Sequence, residues 1–296
     1  QVTYSSEPIG GITSQPGGDK IIFTRDAGGS EFAQLFLLDP AVGVAMMLTD
    51  GESRNGAVAW DREGRRIAYQ STARNGASND IWLMGPDDPD AATIVVESQD
   101  GTWWGPAEFS ATGNKLLAAN YVSITNSSAH LVDLDSGSVT LLAGGPGNES
   151  VNYPVAFDDA NDGYWLVTNQ GSEFQRLAWQ ALKPGAAIEV VTGDIEWDVS
   201  AAVISRDRKR MAFAVNDNAT LAIAGFVQDS ASAEQLAWFW KSSSFTNLGT
   251  LGGTESMGRG VNDAEQVAGR VDVRTGRVEQ VARIGKAVTK NNEFCA

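Results

Sequence analysis

One histidine, one cysteine and no nucleophile elbow bound the chemistry this chain can do. His130 stands in the strand-like segment AHLVDLD, and Cys295 lies next to the C-terminus. A Ser-His-Asp triad needs a histidine base beside a serine presented on a strained turn. No G-x-S-x-G string occurs; the nearest, GGTESMG at Gly252, has the wrong spacing. Nothing in the sequence sets a serine beside His130, which reads as an ordinary strand histidine. No catalytic residue is assigned. Zinc sites draw on several His or Cys ligands, and one of each, 165 residues apart, does not supply them. DDANDG (Asp158–Gly163) lacks the alternating ligands and closing Glu of a calcium loop and reads as a turn. PGG, AGG and LGTLGG lack the G-x-x-x-x-G-K-[ST] of a phosphate loop. No metal or cofactor is expected. Paired carboxylates for glycoside cleavage are a minor alternative, because an acidic chain generates such pairs freely.

The residues better suited to function are aromatic and charged side chains in the polar stretches between hydrophobic runs: Arg54, Trp103, Trp104, Tyr153, Trp197 and Asp198. Trp and Arg in concave sites hold ligands or partner domains. The competing reading is that Trp103 or Trp197 packs between structural units.

What must position them is a repeat. QPGGDKIIF, DREGRRIAY, SATGNKLLA, DDANDGYWLV and SRDRKRMAF share a tight turn feeding a hydrophobic strand. Their first strand residues, Ile21, Ile67, Leu116, Tyr164 and Met211, are 46, 49, 48 and 47 residues apart. GGSEF at Gly28 and QGSEF at Gln170 repeat at 142 residues, close to three periods. A period of this size marks a radial β array. Each unit reads as four strands, the first ending in a segment such as AVAW or AEF. In that arrangement the loops joining strand four to the next strand one share a face with those joining strands two and three. The candidate residues fall there.

Length and repeat together predict an all-β, six-bladed β-propeller of four-stranded antiparallel blades. It is a single domain over residues 1–285, with blades in 1–228, a last blade in 234–285 and a frayed tail in 286–296. Gln1–Tyr4 looks like a fourth strand without its first three and is expected to complete the last blade, removing an exposed edge. Composition fits: 42% of the residues are hydrophobic, with nine Trp, eleven Phe and 32 Gly among 296. The net charge of −15 opposes nucleic acid and anionic membrane surfaces. The apolar runs are too short to cross a bilayer.

Residues 1–218 resemble the propeller of bacterial prolyl-oligopeptidase-family serine peptidases, built of TolB-like, WD40-like repeats. The matching segments include FTRDAGGSEFAQLFLLDP, LTDGESRNGAVAW, REGRRIAYQSTARNGASNDIWLMGPDDPD and DIEWDVSAAVISRDRKRMAFAVND. Residues 234–285 resemble a HAF-type extracellular repeat through LGTLGGTESMGRGVNDAEQVAG. Such peptidases carry an α/β-hydrolase domain after the propeller, and this chain shows none. The resemblance implies a non-catalytic module binding a peptide, a protein or a hydrolase domain at the loop face. The alternative is a peptidase propeller whose hydrolase is supplied elsewhere or lost. It also implies export to the periplasm or beyond, with a cytoplasmic place left open.

Overall fold

The structure, a computed structural model, describes residues 7–26, 29–206, 208, 210–215, 222–228, 235–241, 244–249, 255–261 and 267–272. Short hydrophobic runs between Gly, Asp and Ser turns can pair their backbone groups only with neighbouring strands, and tight turns make the next strand the nearest partner. The first sheet holds β1 (Ile12–Ser14), β2 (Ile21–Arg25), β3 (Gln34–Asp39) and β4 (Val44–Met47) in that order. β5 (Asn55–Trp60), β6 (Ile67–Ser71), β7 (Asp80–Gly85) and β8 (Asp88–Val96) form the second. The third comprises β9 (Trp103–Phe109), β10 (Lys115–Ser123), β11 (Asn126–Asp133) and β12 (Val139–Ala143). The fourth comprises β13 (Asn152–Phe157), β14 (Gly163–Thr168), β15 (Arg176–Ala181) and β16 (Ile188–Val190). Each sheet is a simple meander, as the repeat predicts.

The fifth sheet departs from that plan. β17 (Val199–Ile204), β18 (Arg210–Val215) and β19 (Ala222–Gln228) are followed in the same sheet by β20 (Gln235–Lys241) and β21 (Ser244–Gly249). Residues 235–249, read from sequence as the opening of a separate last blade, therefore extend the fifth sheet to five strands. β22 (Glu255–Val261) and β23 (Val267–Asp272) pair as a hairpin lying against β19 and β20. The expected strand at Gln1–Tyr4 and the tail from 286 lie outside the described residues. Two compact units emerge, one of Gln1–Tyr164 with Ala181–Ala187, the other of Trp165–Gln180 with Ile188–Ala296.

In the first unit the core lies between consecutive sheets. Ile22, Leu35, Leu37 and Leu48 meet Trp60, Ile67, Tyr69 and Met84. On the far side of the second sheet, Ala59, Ala68, Ile81 and Val96 meet Phe109, Leu116, Ala118 and Val132. β6 shows the cause: Ile67 and Tyr69 face the first sheet while Ala68 faces the third, because strand side chains alternate. A sheet buried on both faces needs apolar residues at both parities, which is why these strands read as runs.

The repeated turn works by local chemistry. In all five copies the residue before the turn donates its N–H across to the residue five later, from Gln15–Lys20 to Ser205–Arg210. The opening Asp or Ser bonds a later backbone N–H: Asp61 Oδ1 accepts from Arg65 and Ser110 Oγ from Lys115. In the four later copies the fourth residue has left-handed φ: 69° at Gly64, 71° at Gly113, 58° at Asn161 and 62° at Arg208. Within the first unit the turns also bond to one another. Gln15 Nε2 donates to Gly64 O at 2.7 Å, Arg66 Nη2 to Gly113 O at 2.6 Å, and Ala111 N to Asn161 Oδ1 at 2.9 Å.

Candidate functional site

The loops opposite these turns are held by buried polar side chains at or next to the start of the third strand in each of the first four sheets. Gln34 Nε2 donates to Ser53 O at 2.6 Å, and its Oε1 accepts from Thr49 Oγ1 at 2.7 Å and Gly51 N at 3.0 Å. Asp80, fully buried, accepts Arg74 Nε at 2.7 Å and Nη2 at 3.0 Å, and Ser98 N at 2.8 Å. Ser127 Oγ accepts Asn152 N at 2.8 Å. In the second unit Arg176 Nη1 donates to Thr192 O at 3.3 Å. Apart from the Arg74 pair, which holds the loop between β6 and β7, these bonds fasten the loop from strand four to the next strand one, or the first residue of that strand. Backbone bonds add to them, Asn55 N to Ala33 O and Trp104 N to Asn79 O. Satisfied buried polar networks rigidify what they hold, so the loops form a fixed platform.

Four of the six candidate residues lie in the first unit. Arg54 is engaged locally, its guanidinium 5.4 Å from the Phe32 ring centroid and its N–H donating to Thr72 Oγ1. Trp104 points inward: it packs against the core between the second and third sheets, its ring is 4.6 Å from that of His130, and its carbonyl accepts Gln70 Nε2 at 2.8 Å. Trp104 is therefore a packing residue. Trp103 turns the other way, because neighbours on a strand face opposite sides. It is 48% exposed. Its ring lies 5.9 Å from that of Tyr121, directly across the β9–β10 ladder. Tyr153 adjoins this pair: burial raises its phenol above the usual range, a Ser127 hydrogen bond lowers it and the nearby Tyr121 adds to the rise. In the second unit Trp197 is 44% exposed, whereas Asp198 Oδ1 accepts Gln175 N at 2.7 Å and serves as a pin.

Tyr121 and Ser127 are members the sequence reading missed. The signal was available only through register: Tyr121 opposes both Trp103 and Ser127 in the third sheet.

His130 needs a correction. The structure does place a serine beside it: Ser128 Oγ lies 2.8 Å from His130 Nε2, two residues along β11 and hence on the same face. Triad chemistry still lacks its supports. Among the described residues no group hydrogen-bonds the buried His130 Nδ1, so none of their acids orients the ring. Burial lowers its pKa from 6.5 to about 4, so it is a weak base at neutral pH. Ser128 is buried within strand β11 rather than presented on a strand-to-helix elbow.

That shift has a sign. Between pH 4 and 6.5 the unfolded chain protonates this histidine and the folded one does not, so stability falls as pH drops through the window. The contribution at pH 5 is about 2 kcal/mol smaller than at pH 7. His130→Gln is expected to remove this slope, measured as the wild-type minus variant difference in urea midpoints at the two pH values. An unchanged difference would place the histidine in solvent.

Among the described residues no three His, Cys, Asp or Glu side chains gather in a metal-holding group, and no helix is long and apolar enough to cross a membrane.

No family model matches the chain, and no curated protein matches it. Solved structures do. TolB from Acinetobacter baumannii aligns over 78% of this chain and 63% of its own, with 12% identity and a TM-score of 0.57. The putative TolB from Agrobacterium tumefaciens aligns over 82% and 81%, at 13% identity and 0.58. Prolyl oligopeptidase B from Galerina marginata, in its apo form, aligns over 82% of this chain but 42% of its own, at 11% identity and 0.57. The chain thus spans under two thirds of the first of these and less than half of the peptidase. At such identities the likeness speaks for the fold: an all-β, TolB-like and prolyl-oligopeptidase-like propeller module.

Proposed function

We propose that this chain is a non-catalytic propeller module that binds a peptide or protein partner at its loop face. The observation that carries the reading is Trp103, a large aromatic exposed at the start of β9 with its ring tilted against that of Tyr121, on loops fastened from beneath by buried polar groups. Exposing half a tryptophan on a rigid platform costs solvation that a partner would recover. In this reading the meandering sheets belong to a six-bladed ring, completed by residues within 234–285 of HAF-like character and by Gln1–Tyr4. Export to the periplasm or beyond is part of the same proposal, supported by the TolB-like fold.

A second reading, a peptidase propeller that works with a separate hydrolase domain, is favoured by one fact. The alignment to prolyl oligopeptidase B covers 42% of that enzyme, a propeller-sized share. Both readings predict that the isolated chain is inert. Purified protein is expected to show no labelling with a fluorophosphonate probe and no ester hydrolysis above buffer. Stoichiometric labelling at Ser128, lost on His130→Ala, would overturn both and make the chain an enzyme.

A further inference from the structure

The loop face of the first unit combines two features that together specify a ligand. The first is apolar. Beyond the Trp103–Tyr121 pair, the β10–β11 hairpin carries Val122 (51% exposed) and, at its tip, Ile124 (82% exposed). A register irregularity between Tyr121 and Ser123 marks a bulge, the device that re-aims side chains at functional edges.

The second is charge. The loops flanking this aromatic pair carry Asp100, three residues before Trp103, and Glu149, four before Tyr153. Both are held ionised. Hydrogen bonds from the Thr102 hydroxyl and backbone lower Asp100; bonds from its own backbone N–H and that of Gly147 lower Glu149. Asp26, Glu31, Asp50 and Glu52 add to the same set of loops. The cations there are engaged: Arg54 lies over Phe32, and Arg74 is paired with the buried Asp80. On the opposite, turn-bearing face, acids are interspersed with Lys20, Arg62, Arg65, Arg66 and Lys115. That face is acidic as well, through Asp19, Asp61, Glu63, Asp87 and Asp158 among others; what sets the loop face apart is that its acids lie in the loops beside the exposed aromatics.

We propose that this surface captures an extended cationic peptide segment, a Lys or Arg side chain of which lies against the Trp103–Tyr121 rings while flanking basic residues meet the Asp100 and Glu149 carboxylates. An indole face attracts a cation through its quadrupole, and fixed carboxylates nearby raise the local cation concentration. The same charge argues against a second copy of this chain, whose net charge is −15. The inference rests on the reading of this face as a binding surface and names its ligand class.

The test is fluorescence anisotropy of the full chain with three labelled decapeptides: alternating Lys/Gly, neutral Pro/Ser, and alternating Glu/Gly. The basic peptide is expected to bind saturably and to weaken with salt. Trp103→Ala should lower its affinity about tenfold without changing the melting temperature, and Asp100→Asn with Glu149→Gln should weaken it and flatten the salt dependence. Equal binding of the basic and neutral peptides, or basic binding indifferent to Trp103→Ala, overturns the proposal. Preference for the neutral peptide that depends on Trp103 overturns the cationic assignment and leaves the binding face standing. Failure of all three peptides to bind removes both.

Discussion

Asp80→Ala should cost about 3 kcal/mol and lower the melting temperature by about 5–10 °C. The carboxylate is fully buried at the first residue of β7 and accepts three hydrogen bonds, two from Arg74 and one from Ser98 N. Removing it strands the Ser98 N–H inside the protein and takes the counter-charge from a guanidinium that is itself only partly exposed. Burial of the pair was worthwhile only while each charge neutralised the other. Asp80→Asn keeps an acceptor for Ser98 and should lose distinctly less. Differential scanning calorimetry of the two variants decides the matter. Equal, small shifts would mean that the loop from β8 to β9 is held by backbone bonds alone. Because Arg74 also donates to Ser98 O, the Ala variant should further loosen the loop that ends at Trp103. Faster hydrogen exchange at residues 98–103 is the expected local signature.

Gly64→Ala should be of similar size, about 3 kcal/mol. Gly64 has φ of 69°, where an L side chain is strained. A Cβ there would also stand 2.5 Å from the Pro16 carbonyl oxygen, a backbone atom that moves only if the neighbouring turn does. That turn is tied to this one by the Gln15 Nε2 bond to Gly64 O. The opposite sign is expected at the matching position of the fifth turn. Arg208 occupies the same left-handed conformation with a full side chain, and Arg208→Gly should stabilise by about 0.5–1 kcal/mol. Urea unfolding of both variants checks the pair. Destabilisation by Arg208→Gly would show that its side-chain contacts outweigh the backbone strain.

Much of this architecture was legible because it is local. A turn opening on Asp or Ser and closing on a hydrophobic strand carries its own hydrogen-bonding code, and four of the five copies use Asp or Ser to bond a later N–H. Gly64, Gly113 and Asn161 are residues that accept left-handed φ, so the turn type could be read from them. Arg208 could not, since nothing in an arginine announces that conformation; only its place in the repeat does. The continuation of the fifth sheet through β20 and β21 was likewise hidden. Strand-forming segments were visible at 235–249, but their partner depends on which edge is free, and an edge is not a property of the segment.

The site divides along the same line. Composition and spacing placed the aromatic and charged candidates where one sheet passes to the next, although Trp103, Trp104 and Tyr153 fall within β9 and β13 rather than in loops. Only the tertiary structure decided which of two adjacent tryptophans packs against the core. Trp103 and Trp104 are identical in type and differ by one position, yet strand alternation sends one into the core against His130 and the other to the surface against Tyr121. Tertiary structure also brought Asp198 to the Gln175 backbone, a contact set by how chain segments align across a loop, whereas Ser128 meets His130 because residues two apart on a strand share a face. Sequence determined the repeat because repeated local chemistry is written into each copy. Tertiary structure decided the face and neighbours of each side chain because a shift of one residue in strand register exchanges inside for outside.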